Sequence, residues 1–198
     1  DRMVDSLLER GITPYITLFH WDLPYELYLK GGWLNPDMPE WFAEYTSAVV
    51  NRLSDRVDHW ITQNEPQCYI GSGMASGIHA PGLKMNKKDC LQAAHNSLLA
   101  HGRSVQAIRA EARKTPVIGY APAAWWLWSP VSDDPADIEA CRKQTFCADE
   151  DQVGGSAWWM DPVFLGKYPE SAVKIVEEYM PRIGQGDMKL ISQPVDFL

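Results

Sequence analysis

Between Ile12 and His20 the chain places apolar side chains on both alternations of a strand, Ile16 and Leu18 on one and Tyr15 and Phe19 on the other. A strand of this kind must be covered on both faces, which is the habit of parallel sheets wrapped by helices. The surrounding pattern agrees. Met3, Val4, Leu7 and Leu8 recur at helical spacing and Gly11 supplies a stop, so a helix precedes the strand. A polar, glycine-bearing loop over 21–35 follows. Next comes a helix with Pro39 and Glu40 in its first turn and Trp41, Phe42, Tyr45, Ala48, Val49 and Leu53 on its apolar face.

The spacing predicts a second strand over 57–62 and a loop over 71–82. A long helix carried by Leu91, Ala94, Leu98, Leu99, Val105 and Ile108 then ends near Arg113. A third strand over 116–121 leads into a tryptophan-bearing excursion and a helix over 171–178. Val195 to Leu198 begins a further strand. Alternation without hairpin signals means an α/β chain with a parallel sheet, either doubly wound or a (β/α)8 barrel. No glycine-rich phosphate loop follows a strand, which disfavours the nucleotide-binding form. His20, Asn64, Glu65 and the tryptophans after Tyr120 all follow strand C-terminal ends, where barrel enzymes keep their active sites. A barrel is the expectation, with about half of one present.

Composition removes several classes of function. A net charge of −8 argues against nucleic acid or an anionic membrane as partner. The Lys87-Lys88 pair reads as a solvated loop, and no apolar run approaches the roughly 18 residues of a membrane span. Cys68, Cys90, Cys141 and Cys147 form no CxxC pair, so free thiols in a reducing, cytoplasmic setting are expected. His20, His59, His79, His95 and His101 make no metal-ligand cluster with them. His59, His95 and His101 read as structural or surface residues. Nine tryptophans are many, and Trp125, Trp126, Trp128, Trp158 and Trp159, beside polar and turn residues, are candidate platforms for sugar rings.

The most pointed local feature is Trp60-Ile-Thr-Gln-Asn-Glu-Pro66, an apolar strand that ends by presenting an amide and a carboxyl before a proline stops it. A carboxyl at a strand end walled by aromatic residues is well placed to have a raised pKa and to act as a general acid. In isolation Glu-Pro is more often a turn, and His20 a satisfied strand-end histidine.

The run Gly11-Ile-Thr-Pro-Tyr-Ile-Thr-Leu-Phe-His-Trp-Asp-Leu-Pro24, then Gly31-Gly-Trp-Leu-Asn35 and Asp55 through Pro66, resembles glycoside hydrolase family 1, the β-glucosidase family. Ala80-Pro-Gly82, Ala94-His-Asn-Ser-Leu-Leu-Ala-His101, Asp161-Pro162 and Gly166-Lys-Tyr-Pro169 continue the likeness in family order. The resemblance covers essentially the whole chain. It implies a retaining β-glycosidase on a (β/α)8 barrel, with no cofactor and no metal. Residues 1–198 would be the central part of one catalytic barrel, about strands three to six of eight, truncated at both ends.

Carried over by position, Glu65 is the acid/base, Asn64 bonds the sugar 2-hydroxyl, His20 holds a hydroxyl of the nonreducing glucose, and Trp21 shapes the pocket floor. The substrate is a small β-glucoside or cello-oligosaccharide. Asp22 is expected to order the loop after its strand through backbone hydrogen bonds. Gln67 stands where many relatives carry tryptophan beside the leaving group, so a more polar leaving-group side is expected. His20-Trp-Asp-Leu-Pro24 follows the non-phosphorylated branch, and Glu65 excludes a myrosinase-like glutamine. The family's nucleophile lies in Glu-Asn-Gly, a motif this chain does not contain. Such a chain needs the remainder of the barrel and is expected to hydrolyse nothing alone. The alternatives are another barrel glycosidase, of endo-cellulase or xylanase type, and a non-catalytic glycan-binding protein.

Overall fold

The structure is a computed structural model that describes residues 1–123, 127–146 and 155–198. In order it contains α1 (Arg2–Leu8), β1 (Tyr15–Phe19), α2 (Tyr25–Leu29), α3 (Met38–Leu53), β2 (His59–Asn64), α4 (Lys87–Glu111), β3 (Val117–Ala121), α5 (Pro135–Phe146), α6 (Ser156–Leu165), α7 (Glu170–Ile175) and α8 (Asp187–Ile191). The strands form a parallel sheet in the order β1-β2-β3, as the alternation of strand and helix requires.

The register sets Ile16, Trp60 and Ile118 side by side, and Tyr15, His59 and Val117 on the next row. Trp60 and Ile118 are fully buried, as are Thr62 and Tyr120 further along the same face. Helix α4 closes that face: the Thr62 hydroxyl meets His101 Nδ1 at 2.7 Å, and Gln63 Nε2 donates to the Ser97 carbonyl at 2.9 Å. The opposite row is different. Tyr15 is 54 % exposed, and His59, Ile61 and Val117 are only half-buried. The expectation of burial on both faces therefore holds at the strand end, where Leu18 and Phe19 are both buried, and fails at its start. Among the described residues, Phe197 is the side chain that leans over this row, against Gly119 and edge-on to Tyr15.

Several boundaries differ from the sequence reading for identifiable reasons. Helix α4 begins at Lys87 because the Asn86 side chain caps it, accepting from Asp89 N–H at 2.9 Å. Lys87 and Lys88 are thus exposed residues of a first helical turn and not of a loop. Residues expected as loop over 71–82 begin inside a π-helical stretch, Gln67–Ala75, continued by a Ser76 N–H bond to the Gly71 carbonyl at 2.9 Å. The tryptophan-bearing excursion holds α5 and α6, and the helix expected over 171–178 is the shorter α7. Val195 to Leu198 makes a single parallel bridge, Gly119 to Phe197, in place of a strand. There the Asp196 carboxylate takes the Ile118 N–H that a ladder would have used.

Trp158 and Trp159 are buried at 1 % and 2 %, and Trp158 packs 4.4 Å from the Tyr168 ring. They are core residues, not sugar platforms. Trp128 remains exposed, whereas Trp125, Trp126 and Cys147 lie outside the described residues. Cys68, Cys90 and Cys141 are free thiols. No described helix is long and apolar enough to cross a membrane.

Candidate active site at the strand ends

Among the described residues, two other than glycine have backbone φ in the left-handed region, Trp21 at 73° and Glu65 at 45°. L-residues avoid this region, and it persists where neighbouring contacts over-determine the backbone. Both follow the C-terminal ends of adjacent parallel strands, Trp21 two residues past β1 and Glu65 directly after β2. A bond next to Glu65 links the two exits: Trp21 Nε1–H donates to the Asn64 carbonyl at 3.1 Å, tying the exit of β1 to the end of β2. The His20 and Trp21 rings lie 5.2 Å apart, and Trp21 is also 5.3 Å from His79. Sequence reasoning brought together His20, Trp21, Asn64 and Glu65, and the contacts of Trp21 link the end of β1 to that of β2. It missed His79, which comes from the segment after the π-helical stretch and carries no motif of its own.

Glu65 is half-buried and its turn is closely held. Its N–H donates to the Ala121 carbonyl at the end of β3 at 2.7 Å, and its carbonyl accepts from Cys68 N–H at 2.8 Å. The Cys68 thiol approaches Glu65 Oε2 at 3.4 Å. Burial, reinforced by the hydrogen bond and charge of Glu65, pushes the Cys68 thiol up to about 12. It therefore stays protonated and can donate to the carboxylate. Beneath Asn64, the Gln63 amide, the Ser97 hydroxyl and the Tyr69 hydroxyl form a buried chain with bonds of 2.6–3.1 Å. This chain anchors the end of β2 on α4. A half-buried carboxyl held at a strand end is a position from which a side chain can exchange protons with a bound molecule.

Two expectations need correction. Among the described residues, Asp22 bonds this loop through its main-chain N–H, which donates to the His20 carbonyl at 3.0 Å, and not through its carboxylate. Gln67 does not line an open leaving-group side: it is 4 % exposed, and its carboxamide is occupied by the Ala123 backbone at 3.0 and 3.2 Å. Beside Trp21 lies a largely apolar cavity of about 630 Å³ whose walls include Leu23, Tyr25, Trp33, Tyr69 and Met85. Among the described residues, no three His, Cys, Asp or Glu side chains are grouped to hold a metal.

The family model of glycosyl hydrolase family 1 matches residues 1–198. A 1,4-beta-D-glucan glucohydrolase of Thermotoga neapolitana is 39 % identical over 198 residues, which is 100 % of this chain and 44 % of that protein. Beta-glucosidase A of Acetivibrio thermocellus is 40 % identical over 199 residues, again all of this chain and 42 % of the relative. Among solved structures, the beta-glucosidase from Thermotoga maritima in complex with glucoimidazole superposes with a TM-score of 0.82 at 38 % identity, covering 99 % of this chain and 42 % of that one. The chain thus spans about two-fifths of the length of the proteins it matches.

Proposed function

The chain belongs to glycosyl hydrolase family 1, and from that premise we propose that it is the central part of a retaining β-glucosidase barrel, strands three to six of eight. The protein removes terminal nonreducing β-D-glucosyl residues from small β-glucosides or cello-oligosaccharides. Glu65 is its acid/base. The observation that carries this reading is the left-handed backbone of Glu65, tied to the end of β3 and beside Asn64.

Hydrolysis with retention takes two displacements. In the first, a carboxylate attacks C1 while Glu65 gives its proton to the glycosidic oxygen, so the alcohol leaves neutral. In the second, the Glu65 carboxylate takes a proton from water as that water attacks C1 and releases the nucleophile. Asn64 bonds the 2-hydroxyl, a contact that strengthens as C1 gains oxocarbenium character. His20 holds a hydroxyl of the nonreducing glucose, and an epimer would leave that bond unmade. Trp21 forms the floor beside them.

The nucleophile must stand about 5–5.5 Å from Glu65. It comes from outside residues 1–198, which contain no Glu-Asn-Gly, so these residues alone turn over no substrate. The remainder of the barrel would cover the half-exposed row of Tyr15, His59 and Val117. The free thiols fit a reducing, cytoplasmic compartment. No cofactor or metal takes part in this chemistry.

The test is product analysis with the complete protein. Proton NMR of fresh hydrolysate is expected to show β-glucose first, released from the nonreducing end of a long β-glucan. α-Glucose first, or internal cleavage, would overturn the proposal.

A further inference from the structure

Gln67 lies two residues beyond Glu65, at the start of the π-helical stretch, and its side chain faces the chain leaving β3. Its Oε1 accepts from Ala123 N–H at 3.0 Å, and its Nε2 donates to the Ala123 carbonyl at 3.2 Å. Both residues are buried, Gln67 at 4 % and Ala123 at 3 % exposure. A carboxamide can set an N–H donor and a carbonyl acceptor side by side in one plane, so it can complete a backbone unit as a neighbouring strand would. Two residues earlier, Glu65 N–H bonds the Ala121 carbonyl at 2.7 Å. Glu65 and Gln67 therefore grip residues 121 and 123 in sequence, extending the pairing of β2 and β3 past the bulge that interrupts their register between Ile61 and Asn64.

This second grip has a specific consequence for Glu65. A left-handed glutamate reverts to ordinary backbone unless both sides of its turn are fixed. Upstream, Asn64 is held by Trp21. Downstream, Gln67 supplies side-chain bonds to Ala123 just past β3, while the Cys68 N–H and thiol bond Glu65 itself. We infer that Gln67 is a positioning residue for the acid/base, setting the direction of the Glu65 carboxyl by clasping Ala123. The inference rests on the reading of Glu65 as the acid. The carboxamide is buried at 4 % exposure and turned onto Ala123, so Gln67 acts through Glu65 and not on the substrate.

The test compares kcat/KM for cellobiose, whose departing alcohol needs a proton, with that for dinitrophenyl β-glucoside, whose leaving group does not. In the complete protein, Gln67→Met removes both bonds at similar length. It is expected to lower kcat/KM on cellobiose about 10- to 100-fold, the range for a misaimed general acid, and on the dinitrophenyl glucoside less than about threefold. Gln67→Glu keeps the acceptor for Ala123 N–H and, while protonated, the donor, so its ratio falls between wild type and Gln67→Met. It carries the test alone if the methionine variant does not fold. A purely structural role would lower both substrates together, and an unchanged ratio in the folded variants overturns the inference. Glu65→Gln serves as the control. If it shows the leaving-group effect and the Gln67 variants do not, only the positioning role fails; if it shows none, the reading of Glu65 fails as well.

Discussion

Acidification should destabilise this fold through one imidazole. His101 is fully buried in α4, with Nδ1 on the Thr62 hydroxyl at 2.7 Å, its ring 4.7 Å from that of Tyr120, and no hydrogen-bond partner at Nε2 among the described residues. Protonation would place an N–H on both nitrogens of a ring that has one bond to offer. Burial accordingly lowers the His101 pKa from 6.5 to about 3. Because the unfolded chain takes up this proton first, stability is complete above pH 6.5 and declines as pH falls toward 3. By linkage the loss between pH 7 and pH 4 is about 3 kcal/mol. Urea unfolding followed by circular dichroism would show it as a midpoint lowered by 1 M or more, for a urea slope of about 2–3 kcal/mol per molar. Many other groups titrate over this range, including His95, whose pKa burial also lowers. The comparison is therefore with His101→Gln, whose amide can still reach Thr62 but carries no titrating proton. Wild type should lose about 3 kcal/mol more than His101→Gln over the same interval. Parallel losses in the two proteins, or an NMR titration of folded His101 above pH 5.5, would refute the reasoning.

Gly102 sits inside α4 where a Cβ would overlap the Leu190 carbonyl oxygen and stand 2.7 Å from its carbon. Gly102→Ala gains about 1 kcal/mol of helix propensity but forces α8 away from fully buried Ile191 packing, an overpacking cost of about 1–3 kcal/mol or more. Calorimetry should show a lower Tm; a higher one would mean α8 moves freely. Cys68 and Cys90 are buried thiols whose pKa burial raises, Cys68 to about 12. Peptide mapping after brief alkylation of the native protein at pH 8 should find Cys141 modified well before either. Rapid labelling of Cys68 would contradict its place beneath Glu65.

The parts of this fold legible in the sequence were those written in short periods. The three strands and the long α4 repeat at spacings a reader can count, and His20, Trp21, Asn64 and Glu65 fall where strands stop. Other features depend on partners far along the chain. Nothing local in Glu65 requires a left-handed φ; the Ala121 carbonyl, 56 residues on, and the Trp21 indole, 44 before, impose it. The π-helical Gln67–Ala75 has a period that neither helix nor strand templates count, and its two glycines read as loop. Gly73 is needed because a Cβ there would stand 2.6 Å from the Ala80 carbonyl oxygen. Gln67 looked like an added polar group beside the leaving group because its partner, Ala123, follows a different strand. Trp158 and Trp159 looked like platforms because composition counts tryptophans without saying which are covered.

The central claim is that Glu65 delivers the proton to the departing oxygen. Its most direct measurement is kcat/KM of Glu65→Gln in the complete protein on cellobiose and on dinitrophenyl β-glucoside. Removing a general acid costs about 10²- to 10⁴-fold where a proton is needed. The account predicts a loss of that size on cellobiose and little loss on the dinitrophenyl glucoside. Equal losses on the two substrates would contradict it.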